Sequence, residues 1–400
     1  MIKVLHLTSS FGFGGGAETN LLRLVSRMDR ARFRNTIVTM TVGVNHDLAC
    51  ERLAESGVTV YSLGMRRGVA NPFAAARLFR IIRRIQPQIM QTWMYHADLL
   101  GLLAGKWEGV PSIAWNIRCS LDSADLGWMS ALVRRLLVLL SSYPDVVLAN
   151  SRSGIELHRA LGYKPRKWLY MPNSLDLDSF RPDDQAGAWL RSQLLLPSRA
   201  RFIGLIGRLH PVKDHETFIK AAGLLASEYP DLHFVLVGKG MEEQNPYVKG
   251  LVVATAAADR FHLLGHRTDV NRVTAGLDIA CCSSVSEGSS NVVAEAMACG
   301  VLCVVTDVGD SSQILQGLGR VVPPKDPASF AQACRELLAL PPSERRELGA
   351  AARAQVTERF SLSKSVERYE LLYERLAYSR RDSRYAPSTN RDDVSMHSLS

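Results

Sequence analysis

Short apolar runs alternate with amphipathic stretches along the first part of the chain. IKVLHLTS is followed by ETNLLRLVSRM and then by NTIVTMTV, and the alternation repeats as far as the apolar run DVVLANS. Apolar runs of this length, separated by stretches with helical periodicity, are typical of the strands and helices of a parallel α/β sheet. Residues 1–172 are therefore predicted to form a doubly wound, Rossmann-like domain.

A polar segment, MPNSLDLDSFRPDDQ at 171–185, interrupts this alternation. Beyond it the runs FIGLIGR, HFVLVGKG, DIACCSS and VLCVVTDV alternate with further helical stretches. This pattern predicts a second Rossmann-like domain over residues 173–360. Because sheets of this class bind ligands at the carboxyl ends of their strands, the cleft between the two domains is the predicted ligand site.

The last part of the chain has two different patterns. SLSKSVERYELLYERLAY at 361–378 has helical periodicity, whereas residues 379–400 are polar and have none. The first segment is predicted to be a helix. The second is expected to be disordered, because it has too few apolar residues to order itself.

Composition narrows the class of protein. With 46% hydrophobic and 22% charged residues, the chain has the composition of a folded soluble protein. Its most apolar stretch, at 128–143, is too short to span a membrane and has Arg134 and Arg135 in its middle. The N-terminus is predicted to be a first strand rather than a signal peptide, because its apolar run ends at glycines without a cleavage site.

The cysteine count and the net charge indicate the compartment and the kind of partner. Seven cysteines without a CxxC pair argue against a disulfide framework or a zinc site and favour the reducing cytoplasm. The net charge of +9 favours anionic partners such as phosphorylated ligands or an anionic membrane surface. Nucleic acid is not expected as a partner, because the basic residues are not interleaved with exposed aromatic residues.

A glycine-rich loop, FGFGGGAET, follows the first predicted strand and precedes a helix. Gly12, Gly14 and Ala17 match a GxGxxA pattern, in which glycines let the backbone approach a diphosphate at a helix N-terminus. The second strand, however, has no carboxylate for a ribose before Asp47, and no Lys-Ser or Lys-Thr pair follows the glycines. A phosphate-binding loop and a tight turn without a ligand both stay open.

Two cations stand near the start of the second domain. GLIGRLHPVKDHETFIKAA places Arg208 just after a strand and Lys213 just before a helix. The rigid donor fork of Arg and the compact charge of Lys together suit a diphosphate. Either residue alone could be a solvated surface cation, but VGKG and SVSEG follow later strands at the same edge of the sheet, which favours a binding site.

Two carboxylates lie eight positions apart in SVSEGSSNVVAEAMACG. If a helix begins near Asn291, Glu287 lies ahead of its N-terminus and Glu295 lies on its second turn. This spacing does not force an acid/base pair, and no His or Asp joins the two at metal-ligand spacing. A split role is favoured, in which the two carboxylates hold different ends of one ligand. The alternative is one exposed loop carboxylate and one on the helix surface.

Together, SVSEGSSNVVAEAMACG, GRLHPVKD and GGGAE resemble glycosyltransferase family 4. Members of this family are retaining enzymes of the hexosyltransferase type with the two-domain GT-B fold. The resemblance runs from the first strand to the helix at 361–378, which in this fold crosses back onto the first domain. The paired Glu element and the Gly-Arg…Lys element are specific, whereas the glycine loop alone is not.

The resemblance implies a nucleotide-diphosphate sugar as the donor, with no bound metal ion and no cofactor. Glu287 would bind hydroxyls of the donor sugar, Glu295 would bind the ribose, and Arg208 and Lys213 would hold the diphosphate. The remaining residues implied to bind the donor act mainly through their backbone: Gly15, Gly16, Gly238, Gly240, Arg267, Gly288, Ser289, Ser290 and Asn291.

On the acceptor side, QTWMYHADLLG matches the family segment after the fourth strand. Trp93 stands where the family often has a histidine, so His96, just before the following helix, is the candidate to contact donor sugar or acceptor. A structural loop histidine is the alternative. Together with WNIRCS, the segment resembles bacterial members that build cell-surface polysaccharides, and Arg118 is the candidate to bind a glycan or lipid-diphosphate acceptor. Smaller departures from the family pattern are Ser174, Leu302 and Gln313.

A basic amphipathic segment in the first domain suggests where a membrane could bind. Arg77, Arg80, Arg83 and Arg84 lie on one predicted helix, whose apolar positions begin at Phe73. Since a lipid-linked acceptor lies in an anionic membrane, peripheral attachment through this domain is one interpretation. A solvated basic helix face is the other.

Two other kinds of protein share such a frame. One is a nucleotide-sugar epimerase or phosphosugar enzyme, and the other is a non-catalytic protein that binds sugar nucleotides. The presence of Arg208, Lys213, Glu287 and Glu295 together argues against the non-catalytic protein, because a decayed site should have lost some of them.

Overall fold

The structure is a computed structural model that describes residues 1–12, 16–43, 45–66, 71–118 and 128–382. Within these residues the chain forms two parallel sheets, each covered by helices on both faces. The predicted architecture of two doubly wound Rossmann-like domains is confirmed.

The first sheet contains seven parallel strands among the described residues. They are β1 (Ile2–Phe11), β2 (Phe33–Val42), β3 (Thr59–Ser62), β4 (Ile89–Trp93), β5 (Ser112–Ile117), β6 (Val146–Ala149) and β7 (Trp168–Tyr170). Their order is β3-β2-β1-β4-β5-β6-β7, so the direction of winding reverses between β1 and β4, where a doubly wound sheet opens a crevice. The helices between these strands are α1 (Gly16–Arg27), α2 (His46–Glu55), α3 (Pro72–Ile85), α4 (Tyr95–Trp107), α5 (Trp128–Leu140) and α6 (Arg152–Ala160).

The second sheet has the same winding. Its strands are β8 (Arg201–Ile206), β9 (Leu232–Val237), β10 (Phe261–Leu263), β11 (Ile279–Cys282), β12 (Leu302–Thr306) and β13 (Arg320–Val322). The order β10-β9-β8-β11-β12-β13 places the reversal between β8 and β11. The accompanying helices are α7 (Ala186–Gln193), α8 (His215–Ala226), α9 (Pro246–Val253), α10 (Val270–Ala275), α11 (Asn291–Ala298), α12 (Ser311–Leu315), α13 (Pro327–Ala339) and α14 (Pro342–Phe360).

Neighbouring residues of one strand enter different cores. Ile203 and Phe234 pack with Phe218 of α8 on one face of the second sheet, whereas Phe202 and Val235 pack on the other face. Successive side chains of a strand point to opposite faces, so a sheet covered on both sides needs apolar residues at every position. This is why its strands read as continuous apolar runs.

The chain passes between the sheets after β7, and the predicted boundary at residue 172 stays a prediction. After α14 the chain returns, and α15 (Leu362–Asp382) packs on α1, β1 and β4. Tyr369 and Tyr373 of α15 are buried in the core of the first domain. The helix is longer than the predicted 361–378, so the expected disorder is wrong for residues 379–382, and residues 383–400 lie outside the described part of the chain.

None of the described helices combines the length and the apolar character that crossing a bilayer requires.

Candidate functional site

Two of the predicted site residues, Lys213 and Glu287, meet at the carboxyl edge of the second sheet. Lys213 ends a 3-10 turn after β8 and Glu287 lies in the loop after β11. Because β8 and β11 are neighbours, the Lys213 ammonium forms an ion pair with the Glu287 carboxylate. Ser284 Oγ donates to the same carboxylate at 2.7 Å. The family resemblance implied that Lys213 holds the diphosphate and Glu287 the sugar, and the structure brings the two side chains into direct contact.

The ion pair is largely shielded from water. The side chain of Lys213 is 23% exposed and that of Glu287 13% exposed. Burial lowers the pKa of Lys213, but the Glu287 carboxylate outweighs it, so that the pKa lies above the usual lysine value. The site therefore keeps a fully charged lysine at neutral pH.

The loop from Glu287 to Ser290 is in contact with a tight backbone turn at Gly309 and Asp310. Gly309 has φ +60°, and a side-chain carbon at this position would lie 2.2 Å from the Glu287 carbonyl oxygen. The next residue, Asp310, donates its N–H to the Gly288 carbonyl at 2.9 Å. Only glycine allows the turn to approach the loop this closely.

Helix α11 begins at Asn291, where the sequence predicted it. Ser290 is the N-cap residue and makes no side-chain cap hydrogen bond. The first N–H groups of a helix need partners outside it, and together with the helix dipole they favour an anion. Ser289 and Ser290 thus lead into a helix N-terminus beside the Lys213–Glu287 pair.

Glu295 lies on the second turn of α11, partly enclosed. Burial raises the pKa of its carboxyl to about 7; Arg23 opposes the shift and Asp176 adds to it. Arg23 belongs to α1 of the first domain, so Glu295 lies where the two domains meet.

Arg208 follows β8 and is exposed to solvent. It lines an open cavity of about 440 Å³ together with Leu209, Lys239, Gly240 and Glu242. Gly240, in the cavity wall, and Gly238, two residues before it, have φ +91° and +146°. A side-chain carbon at Gly238 would lie 2.2 Å from the Gly207 carbonyl oxygen, so a tight backbone crossing explains the VGKG sequence before any ligand is considered.

The Arg267 side chain is already engaged. It donates from Nε and Nη2 to both carboxylate oxygens of Asp269, at 2.7 and 2.6 Å, and lies 5.8 Å from the ring centre of Trp189. This geometry agrees with a role for Arg267 through its backbone rather than its side chain, which stays a prediction.

Gly16, the first residue of α1, approaches the N-terminus of α11. A side-chain carbon at Gly16 would lie 3.2 Å from Asn291 Nδ2. Asn291 Oδ1 in turn accepts from Asn173 Nδ2, in the segment between the sheets, at 2.7 Å. Gly16 therefore lies near the candidate phosphate position, while Gly15 lies outside the described residues.

The candidate acceptor segment has an exposed and a buried part. Helix α4 begins at Tyr95, so the prediction that His96 precedes the helix is wrong: His96 lies exposed in the first turn. Trp93, at the position of the family histidine, is buried, and its indole N–H donates to His6 Nδ1 at 3.4 Å. Burial lowers the pKa of His6 to about 4, against the opposing effect of Asn35, so His6 is neutral.

Arg118 is a buried link between distant segments. Its guanidinium donates to Asn116 at 3.1 Å, to Tyr369 at 2.7 Å and to Asn173, and it lies 4.8 Å from the ring centre of Trp93. The acceptor contact predicted for Arg118 stays a prediction, but the structure gives it a second task. It ties β5 to α15 and to the segment that joins the sheets.

Sequence reasoning missed several of these residues. Asn173, Asp310 and Tyr369 each make side-chain contacts with partners more than fifty positions away. The Gly-Asp pair after β12 was a usable signal, since glycine followed by a helix-capping residue marks a tight turn.

No group of three or more His, Cys, Asp or Glu side chains that could hold a metal ion occurs in the described part of the chain.

Two family models match successive parts of the chain. Residues 14–179 match the family described as Glycosyltransferase Family 4, and residues 200–340 match the one described as Glycosyl transferases group 1. The first match begins after β1 and covers β2 to β7, and the second covers β8 to β13. Together they include most of the site residues described above.

Two curated bacterial relatives are similar over part of the chain. One is the UDP-Gal:alpha-D-GlcNAc-diphosphoundecaprenol alpha-1,3-galactosyltransferase of Escherichia coli, 25% identical over 60% of this chain. The other is an N-acetylgalactosamine-N,N'-diacetylbacillosaminyl-diphospho-undecaprenol 4-alpha-N-acetylgalactosaminyltransferase of Campylobacter jejuni, 24% identical over 68% of this chain. The matched region spans 62% of the first relative's length and 70% of the second's.

The fold is similar to that of a solved structure with a bound nucleotide sugar. HepE from Anabaena, in complex with UDP-glucose, superimposes with a TM-score of 0.76 at 20% identity, over 94% of this chain and 100% of that one. The two domains and the cleft between them therefore form a GT-B fold.

Proposed function

The chain belongs to glycosyltransferase family 4, and from this premise we propose that it moves a sugar from a nucleotide-diphosphate sugar to a glycan or lipid-linked acceptor with retention of configuration. The observation that carries the proposal is the shielded Lys213–Glu287 ion pair beside the N-terminus of α11. A cation, a carboxylate and a helix N-terminus in one place match the phosphate and hydroxyl groups of such a donor.

The donor would rearrange this pair. Its diphosphate is a stronger partner for Lys213 than one carboxylate, so Lys213 would turn to the phosphates and release Glu287 for the sugar hydroxyls. Arg208 and the first N–H groups of α11 would add further donors. These fixed charges stabilise the negative charge that develops on the departing diphosphate, so no metal ion is required.

The nucleoside would lie between the cavity beside Arg208 and the carboxylate of Glu295. The base would lie beside Gly240 in the wall of this cavity, and Glu295 would accept hydrogen bonds from the ribose hydroxyls. The UDP-glucose bound to HepE supports a uridine nucleotide as the first donor to test.

A lipid-diphosphate sugar is the proposed acceptor. The names of both curated relatives contain a diphosphoundecaprenol acceptor. The acceptor would enter beside His96, exposed at the start of α4, and attack from the face that the diphosphate leaves, which retains the configuration.

Such an acceptor calls for peripheral attachment to the inner face of the cytoplasmic membrane. Helices α3, α4 and α5 pack side by side and expose large apolar side chains: Phe73 is 83%, Trp107 79% and Leu139 74% exposed. Exposed Arg77, Arg80 and Arg84 lie on the same layer. Apolar side chains flanked by arginines suit an anionic bilayer surface; equal binding to anionic and neutral vesicles would contradict this attachment.

A panel of UDP- and GDP-sugars tests the function, with binding followed by thermal stabilisation and transfer followed on a lipid-diphosphate sugar. Lys213→Ala should abolish most transfer, whereas Lys220→Ala, on the exposed pair with Glu216, should leave it unchanged. Release of an epimer without acceptor would instead favour an epimerase. Binding without any turnover would favour a non-catalytic protein.

A further inference from the structure

A carboxylate of the second domain caps a helix of the first. Helix α6 starts at Arg152, and its N-cap Ser151 accepts from the Gly154 N–H at 3.0 Å. The N–H groups of Arg152 and Ser153 donate to Asp310 Oδ2 and Oδ1 at 2.7 and 2.9 Å. Asp310 is 2% exposed. The first turn of α6 is thus completed by a side chain from the opposite domain.

The backbone of the same residue holds the loop that carries Glu287. Asp310 donates its N–H to the Gly288 carbonyl at 2.9 Å, and Gly309 lies directly against the Glu287 carbonyl. The side chain and the main chain of one residue therefore bind two different parts of the cleft. One is the sheet edge of the first domain, and the other is the loop beside Lys213.

The cap differs in kind from an ordinary one within a domain. Asp326 caps α13 by accepting from Ser329 N at 3.0 Å and from its Oγ at 2.6 Å, entirely inside the second domain. The Asp310 cap instead crosses the cleft. Because a carboxylate at a helix N-terminus makes charge-assisted hydrogen bonds aligned with the helix dipole, separating the domains has to break two strong bonds at once.

We propose that Asp310 is a positioning residue that couples closure of the two domains to the geometry of the loop at residues 287–291. When the first domain docks, α6 fixes the Asp310 carboxylate, and its peptide N–H then fixes Gly288. When the domains separate, the loop loses this support. The consequence for catalysis rests on the proposed function; the coupling itself does not.

Hydrogen exchange tests the coupling without any substrate. Asp310→Asn is nearly isosteric, but it places a side-chain N–H donor opposite the backbone N–H groups of α6 that the carboxylate binds. The backbone amides of residues 151–155 and of residues 284–291 should therefore both exchange at least tenfold faster. Asp326→Asn should accelerate exchange only around residue 329. If Asp310→Asn loosens α6 and leaves 284–291 unchanged, the coupling is refuted.

A second pair of variants breaks the same contact from the other side. Arg152→Pro removes one of the two N–H donors at the first helical position, where proline is tolerated, and Arg152→Ala keeps it. The proline variant should reproduce the exchange of Asp310→Asn, and the alanine variant should match the wild type. Identical exchange in the two Arg152 variants would refute the role of the cap even if Asp310→Asn fails to fold.

Kinetics then test the consequence for catalysis. With the donor that the wild type uses, Asp310→Asn should lower kcat at least tenfold and change the donor Kd less than threefold, whereas Asp326→Asn should alter neither. Wild-type kcat in Asp310→Asn would overturn the positioning role. A wild type that binds no nucleotide sugar would refute the proposed function, while the exchange results would still decide the coupling.

Discussion

Glu295 provides a quantitative test of the proposed donor site, because its affinity for a ribose should depend on pH. Burial raises the pKa of this carboxyl to about 7. An ionised carboxylate accepts hydrogen bonds from two ribose hydroxyls, whereas the protonated form gives up part of that capacity. Lowering the pH through 7 should therefore weaken donor binding.

The size of the effect follows from the pKa. A group with a pKa of about 7 is about 90% ionised at pH 8 and about 10% ionised at pH 6. If only the ionised form binds, the donor Kd should rise about tenfold between these pH values, which corresponds to about 1.4 kcal/mol. Glu295→Gln should bind the donor more weakly than the wild type does at pH 8, and its Kd should be nearly independent of pH.

Isothermal titration calorimetry at pH 6, 7 and 8 measures these constants. A nucleotide sugar is the ligand of choice, because its diphosphate does not titrate in this range as the terminal phosphate of a free nucleotide does. Glu216→Gln, at an exposed glutamate of α8, is the matched control and should behave as the wild type. Equal wild-type affinity at pH 6 and pH 8, or the same pH dependence in Glu295→Gln, would refute the ribose contact.

The same carboxyl affects stability without a ligand. Its raised pKa means that the native state binds the proton more tightly than the unfolded chain does, so its contribution is present below pH 4.5 and is lost as the pH rises through 7. From 4.5 to about 7 the loss is at most about 3 kcal/mol, with solvent screening reducing it. Relative to the wild type, Glu295→Gln should gain stability at pH 8 and none at pH 4.5, as measured by urea unfolding.

Three further predictions concern single side chains. Lys213→Ala should lower kcat for transfer by about 10²–10³-fold and change the donor Kd less, because it removes a fixed positive charge that stabilises the leaving group. Steady-state kinetics would show the change in kcat, and a change of equal size in kcat and donor Kd would contradict the prediction. Tyr369→Phe removes the acceptor for Arg118 and Asn116 and should cost about 1.5–3 kcal/mol in urea unfolding; an unchanged midpoint would refute this. Burial raises the pKa of Asp98 to about 7 from 3.8, against a hydrogen bond from Thr92, so its contribution to stability is lost as the pH rises through 7. Asp98→Asn should therefore be more stable than the wild type at pH 8, by up to about 4 kcal/mol, but should show no such gain at pH 4. The same difference in the free energy of unfolding at both pH values would rule this out.

The alternation of strands and helices could be predicted because both faces of each sheet are covered. Phe202 and Ile203 are neighbours in sequence but pack into cores on opposite faces of the sheet. A continuous apolar run of this kind is typical of a strand that is buried on both faces. The start of α11 was predictable for a local reason as well, since Gly and Ser precede an apolar helix. The start of α4 was missed because Met94 adopts φ +75°, a conformation that its sequence does not indicate.

The contacts within the site could not be predicted from the sequence, for a different reason. Lys213 and Glu287 were singled out from motifs, but their ion pair depends on β8 and β11 being neighbours. Asp310 gave no local sign of its partners, because the N–H groups that it binds belong to the other domain. Motifs identify residue types at strand ends, whereas pairing between distant loops depends on the order of strands in the sheet.

The return of α15 also sets the order in which the protein can be completed during translation. Val366, Tyr369 and Tyr373 fill the core of the first domain next to Trp93, yet a ribosome makes them only after the entire second domain. Domains usually fold as they emerge, the N-terminal one first. Here the nascent first domain stays without its closing helix until the second is finished, so the domain that is synthesised first is the one that is completed last.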